Sequence, residues 1–214
     1  MIYATMCIGN YWINKYQEQL NRFGKENPLH ILTDNPESFE YGVSHIYDRD
    51  VFSYYEKINF ILYLSKTYNQ RVTYIDSDWI GSLNTNLKLD KANLYTYKVF
   101  DLTDSSYEKI LSPSEHELKN NLLLEIESDD IINSFIGEAL ISMPVHEKID
   151  DMINDSEKLQ KKIESNYNKN TKTRKELDKY KHGIGYSEGW GITALCIKYQ
   201  IPIKEISWRK ETII

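Results

Sequence analysis

The chain is poor in several features, and each shortage excludes a class of protein. Cysteine occurs only twice in 214 residues, as Cys7 and Cys196, far apart and each flanked by apolar neighbours. That argues against a disulfide framework or a cysteine metal site and reads as two buried free thiols in a reducing compartment. No run of about 18 apolar residues is present, so no membrane span is expected. The N-terminus, Met1 to Ile8, has no basic region ahead of its apolar residues and runs directly into a first strand, unlike a signal peptide. A soluble, cytoplasmic protein is the expectation. A basic excess is also missing: 26 Lys and Arg stand against 32 Asp and Glu, a net charge of -6. Surfaces that bind duplex nucleic acid neutralise phosphates with clustered cations, so nucleic acid is not an expected partner.

What the chain does have is length for one sizeable core and an abundance of aromatics. A single α/β domain over residues 1–214 is the default at this size. Seventeen Tyr and four Trp supply rings suited to stacking on sugars and bases, although most rings in any protein serve packing.

Strand and helix signals alternate. Residues 2 to 8 read as a strand ended by Gly9-Asn10, and Trp12, Tyr16, Leu20 and Phe23 then recur at helical spacing as far as Gly24. Leu29 to Thr33 reads as a second strand, broken by Asp34-Asn35-Pro36, and Val43 to Tyr47 as a third. A helix is predicted from about 52 to 68, then a strand over Val72 to Ile75. This β-α-β-β-α-β order predicts a mostly parallel sheet flanked by helices. Beyond it, Leu94 to Phe100 is strand-like, Ser114 to Glu127 helix-like, and Ile131 to Met143 apolar with a break at Gly137. Residues 155–181 are rich in Lys and Arg, and read either as solvated helices or as a mobile basic flap closing over phosphates. A helix through Ala194 to Tyr199 and a last strand, Ile203 to Ile206, complete the pattern.

The most informative motif is Asp76-Ser77-Asp78, directly behind the apolar run Val72-Thr73-Tyr74-Ile75. Two carboxylates one residue apart at the end of a buried strand can hold a hard divalent cation that in turn holds a diphosphate. The same spacing recurs at Asp48-Arg49-Asp50, where it reads as a solvated turn, so position matters more than pattern. Open α/β sheets place ligands outside the carboxyl ends of their strands, where Asp76 and Asp78 fall. The residues alone leave two readings, a cation site or a capped turn. Thr5, at the end of the first strand, reads as a nucleoside contact or a plain strand residue. Lys57, on the helix before the motif, reads as a phosphate contact or part of a solvated face. Trp79 and Trp190 read as ring-stacking platforms or core.

Together these features resemble the GT-A fold of nucleotide-sugar glycosyltransferases. Tyr74-Ile75-Asp76-Ser77-Asp78 is similar to that family's strand and metal motif, and Ile132 to Ile141 to the later strand beside the donor sugar. His182-Gly183-Ile184-Gly185-Tyr186-Ser187-Glu188-Gly189-Trp190 resembles a late metal-binding His before glycines and an acidic residue opening a helix near the acceptor. The compact size is also similar to virus-encoded members, such as the N-terminal glycosyltransferase domain of a chlorella-virus capsid-glycan enzyme. The resemblance implies a Rossmann-like, mixed but mostly parallel sheet, a UDP-sugar donor, a Mn2+ or Mg2+ ion and a glycan or protein-linked glycan acceptor. A virus-encoded member would work in host cytoplasm. The ligands implied for the metal are Asp76, Asp78 and His182, with Ser77 beside the cofactor. Glu188 is the implied general base or transition-state stabiliser, with Glu138 its competitor. Two other classes stay open: a haloacid-dehalogenase-type phosphatase with Asp76 as nucleophile, although that motif belongs on a first strand, and a noncatalytic carbohydrate-binding protein.

Overall fold

The computed structural model describes residues 1–48, 53–103, 113–137, 139–170 and 188–207. Seven strands form one sheet: β1 (Ile2–Met6), β2 (Leu29–Thr33), β3 (Val43–Ile46), β4 (Val72–Ile75), β5 (Leu94–Thr96), β8 (Leu140–Met143) and β9 (Ile203–Glu205), in the order β3-β2-β1-β4-β8-β5-β9. Only β8 runs against the others, pairing antiparallel with β4 on one side and β5 on the other. The expected α/β architecture with a mixed, mostly parallel sheet is therefore present. A separate ribbon pairs β6 (Val99–Asp101) antiparallel with β7 (Ser134–Ile136).

Helices cover both faces, and the strand alternation follows from that. Along β1, Ile2 and Ala4 join the core under α2 (Glu56–Tyr68), α3 (Pro113–Glu125), α4 (Ile149–Asn170) and α5 (Glu188–Lys198), whereas Tyr3 and Cys7 face the core under α1 (Asn10–Glu26). β1 to β4, α1 and α2 thus lie close to where periodicity placed them, α2 beginning at Glu56, whereas residues 49–52, with most of the Asp48-Arg49-Asp50 turn expected there, lie outside the described residues. α1 continues through Gly24 instead of ending there. That glycine is needed for another reason: a Cβ would lie 3.0 Å from the Tyr41 carbonyl oxygen.

Local chemistry explains the larger departures. The single strand expected over Leu94 to Phe100 is two, because the chain leaves the main sheet at Tyr97-Lys98 to build the ribbon. Thr96 marks the turning point, donating its hydroxyl to the Gly137 carbonyl at 2.7 Å while its own carbonyl accepts from Ile206 N–H at 2.9 Å. Gly137 accordingly separates β7 from β8 as expected, and a Cβ there would collide with the Tyr97 ring.

The first part of the basic segment is helical, with Asp155, Ser156, Leu159, Gln160 and Ile163 buried in α4 and Glu157, Lys158 and Lys161 exposed, so residues 155–163 form a packed helix with one solvated, charged face and not a flap. The Asp155 carboxylate accepts from Lys198 Nζ at 2.6 Å, Tyr199 hydroxyl at 2.7 Å and Lys158 Nζ at 3.2 Å, pinning α4 to α5. Burial pushes that carboxyl upward, and the three donors outweigh it to leave its pKa below the usual range. Residues 171–181 lie outside the described set.

At the free edge of the sheet, His30 Nδ1 and His45 Nε2 stand 2.9 Å apart across β2 and β3, packed against Tyr68, Phe60 and Tyr63 of α2. Burial and then its neighbour lower His30 from 6.5 to about 4, and burial lowers His45 as well. A histidine held neutral in the folded state takes up protons more readily when unfolded, so stability is full above about pH 6.5 and falls as pH drops towards 4. His30 alone is expected to remove about 2 kcal/mol between pH 7.5 and 5. Urea titrations at those two pH values measure it: His30→Gln should flatten the dependence by that amount, and an unchanged slope would reject the assignment.

Candidate functional site at the carboxyl end of β4

β4 is buried throughout and carries the chain out at Asp76. The Asp76 N–H donates to the Ala139 carbonyl at 2.9 Å, extending the pairing with β8 by one rung, and the Asp76 carbonyl accepts from Trp79 N–H at 2.9 Å. The second bond folds Asp76-Ser77-Asp78 into a tight turn above the sheet. A short 3-10 turn, Ile80–Ser82, follows and packs on α1.

Beneath the turn lies a buried cation. Lys57 descends from the first turn of α2 and donates its ammonium to Asp76 Oδ1 at 3.2 Å; its side chain is 4% exposed and that of Asp76 34%. Tyr74 hydroxyl donates to the same oxygen at 3.2 Å, and the ammonium stands 5.2 Å from the Tyr74 ring centre. Burying an ammonium is costly unless it is paired and hydrogen-bonded, which fixes the Asp76 carboxylate in place. Of the two sequence readings of Lys57, the solvated face is excluded.

Asp78 is in a different position. It is exposed, and its carboxyl is raised first by partial desolvation and second by Asp76, with Lys15 and Lys57 acting in the opposite sense. Two carboxylates in one turn repel, and one ammonium already engaged with Asp76 does not fully relieve Asp78. On the α1 side, Gln19 Nε2 donates to the Ser77 carbonyl at 3.4 Å.

Of the residues singled out in the sequence, Lys57, Asp76, Ser77 and Asp78 come together. Thr5 does not join them: it is fully buried in β1, and its hydroxyl has no hydrogen-bond partner among the described residues. A nucleoside contact there is closed by packing. Trp190 is likewise enclosed, stacked on Phe135 at 5.1 Å, which is stacked on Phe100 at 4.5 Å. It is a core residue of α5, and the ring-stacking role expected of it fails for want of access. Trp79 is half-buried and meets Tyr97 edge-on at 5.0 Å. Glu138 and His182 lie outside the described residues, as does the side chain of Glu188, whose backbone opens α5.

Tyr74, Lys15 and Gln19 were missed in the sequence. Only the apolar stripe Trp12, Tyr16, Leu20 and Phe23 was read from α1, and Lys15 and Gln19, at i+3 and i+7 from Trp12, turn towards the motif. A groove of about 760 Å3 lies between α2 and α4, and neither aspartate lines it. Its polar groups bond one another, Gln160 bridging Glu56 and Glu164 at 2.8 and 2.9 Å. Among the described residues no helix is long and apolar enough to cross a membrane, and no three His, Cys, Asp or Glu side chains converge as a metal centre. No family model matches the chain, and no curated protein matches it in sequence.

Proposed function

We propose that the chain is a metal-dependent glycosyltransferase that moves a sugar from a nucleoside-diphosphate sugar, in the first instance a UDP-sugar, to a hydroxyl of a glycan. The observation that carries this reading is the asymmetric pair at the end of β4: one aspartate clamped by a buried lysine, the other exposed and raised first by partial desolvation and then by its neighbour's charge. The donor set suits Mg2+ or Mn2+, which accept one or two carboxylates and draw their remaining oxygens from substrate phosphates and water. Asp78 would be the direct ligand and Asp76 would offer its second oxygen. Such an ion, when bound, offsets the charge that grows on a departing diphosphate.

The residues of the chain have separate tasks. Lys57 and Tyr74 hold Asp76 in one orientation, so its geometry is prepaid by folding. Asp78 presents negative charge at the strand end, which binds a phosphate group only through an intervening cation. During transfer the bond between the anomeric carbon and the phosphate oxygen breaks, and the nucleoside diphosphate leaves with the electron pair. The acceptor oxygen forms the new bond, and its proton goes to a carboxylate, the role read for Glu188 or Glu138.

Thermal unfolding with UDP, GDP, CMP and ADP, each with and without Mn2+, tests the reading. One nucleotide, UDP by expectation, should raise the midpoint by several degrees only when Mn2+ is present, since a ligand at 100 times its Kd adds about 2.7 kcal/mol. No shift with any of the four would reject it.

A further inference from the structure

Two aromatic side chains stand exposed at the start of α1, with a third, Tyr16, half-buried beside them, and such a surface cluster needs a reason. Tyr11 is 67% exposed and Trp12 48%, the Trp12 and Tyr16 rings lie parallel within 8° at 5.9 Å, and Tyr11 meets Trp12 edge-on at 5.0 Å. Lys15 places its ammonium 5.2 to 5.7 Å from the centres of all three. Gly9, at φ 87°, starts the helix at the mouth of β1, with its N–H donating to Asp34 Oδ1 at 2.9 Å. The cluster is therefore at the carboxyl end of the sheet. The same face of α1 reaches the motif, through Gln19 on the Ser77 carbonyl and through Lys15, whose charge Asp78 feels.

We propose that this face is a nucleotide-docking surface: the base stacks on Trp12 and Tyr11, and the phosphates pass Lys15 on their way to Asp78. The proposal rests on the glycosyltransferase reading and assigns the nucleotide's ring to residues that reading leaves out. Charge complementarity selects the occupant. Tyr11 and Lys15 are four residues apart, about 6 Å of helical rise, so an aromatic surface and a cation succeed one another along the path to the aspartates. A nucleotide uses both in that order, since rings stack on bases of any type and ammonium groups pair with phosphate. A neutral sugar ring would use the indole and make no use of the Lys15 charge.

Calorimetric titration separates the possibilities, with UDP and ADP as nucleotides and inorganic pyrophosphate as the ringless control, all in Mn2+. Trp12→Ala should weaken the better nucleotide about tenfold or more, the loss of one base stack, while pyrophosphate affinity stays within a factor of two. Trp12→Phe should restore most of the affinity, and Lys15→Gln should weaken nucleotide and pyrophosphate together. Both sites are exposed, and unchanged circular dichroism verifies folding. If wild type binds nucleotide and Trp12→Ala binds it equally well, the docking surface is wrong and the glycosyltransferase reading survives; a glycan platform would give that result. If Trp12→Ala weakens pyrophosphate as much as nucleotide, stacking is not its role and the proposal fails. If wild type binds no nucleotide, the reading itself falls and this proposal with it.

Discussion

Asp78→Asn is expected to abolish Mn2+-dependent nucleotide stabilisation and to lower sugar transfer about 10^2- to 10^3-fold, the usual cost of removing one preorganised charge-stabilising group. The fold should not suffer. Asp78 is exposed, and its carboxyl is raised above its unfolded value by desolvation and by Asp76. A raised carboxylate is stable in its neutral form and unfavourable once ionised, so at pH 7 its charge works against the folded state. Asparagine removes that charge, and the unfolding midpoint without ligand should stay level or rise slightly. Loss of ligand response without loss of stability is the signature of a residue kept for binding. A variant that still responds to nucleotide and Mn2+ would remove Asp78 from the site.

Trp190→Ala is expected to cost 3–5 kcal/mol, the range for deleting a large buried aromatic. Trp190 is fully buried, and the stacked series Trp190, Phe135, Phe100 joins α5 to the β6-β7 ribbon. Its loss opens a void between elements that no other stack bridges among the described residues. Urea unfolding at pH 7 measures the change, and a loss below about 1 kcal/mol would show that the site collapses without penalty. The folded fraction should keep its nucleotide affinity, because the indole has no access to a ligand. That pair of results separates Trp190 from Trp12, whose substitution is expected to do the reverse.

The two tryptophans show where sequence reading succeeds and where it stops. β4 and its motif were legible because a four-residue run buried on both faces leaves an uninterrupted apolar signal, and the polar residues after it must lie beyond the sheet. Lys57 was legible as a candidate but not as a buried one, since a lysine's burial depends on Asp76 and Tyr74, which are distant in the chain from it by 19 and 17 positions. Trp12 was read in a helical stripe and Trp190, at the end of a Gly-rich stretch, as a ring-stacking platform or core, and neither local signal shows which ring is buried. Only the placement of α1 at the edge of the core and α5 within it tells them apart. The division of Leu94 to Phe100 into two strands was hidden for a similar reason: Thr96 bonds to Gly137, 41 positions away. Asp155 lies in a segment whose composition reads as solvated, yet three donors from its own and the following elements make it a buried anchor.

Product analysis decides whether the turn after β4 works on a sugar diphosphate. The protein is incubated with Mn2+ and a panel of UDP-, GDP-, CMP- and ADP-linked sugars, and the products are resolved by mass. One sugar nucleotide should be converted to its intact nucleoside mono- or diphosphate with the sugar on water or an added glycan, and Asp78→Asn should leave it untouched. A panel left intact would rule out sugar transfer, and inorganic phosphate released from p-nitrophenyl phosphate by wild type and not by Asp76→Asn would instead make Asp76 a phosphatase nucleophile.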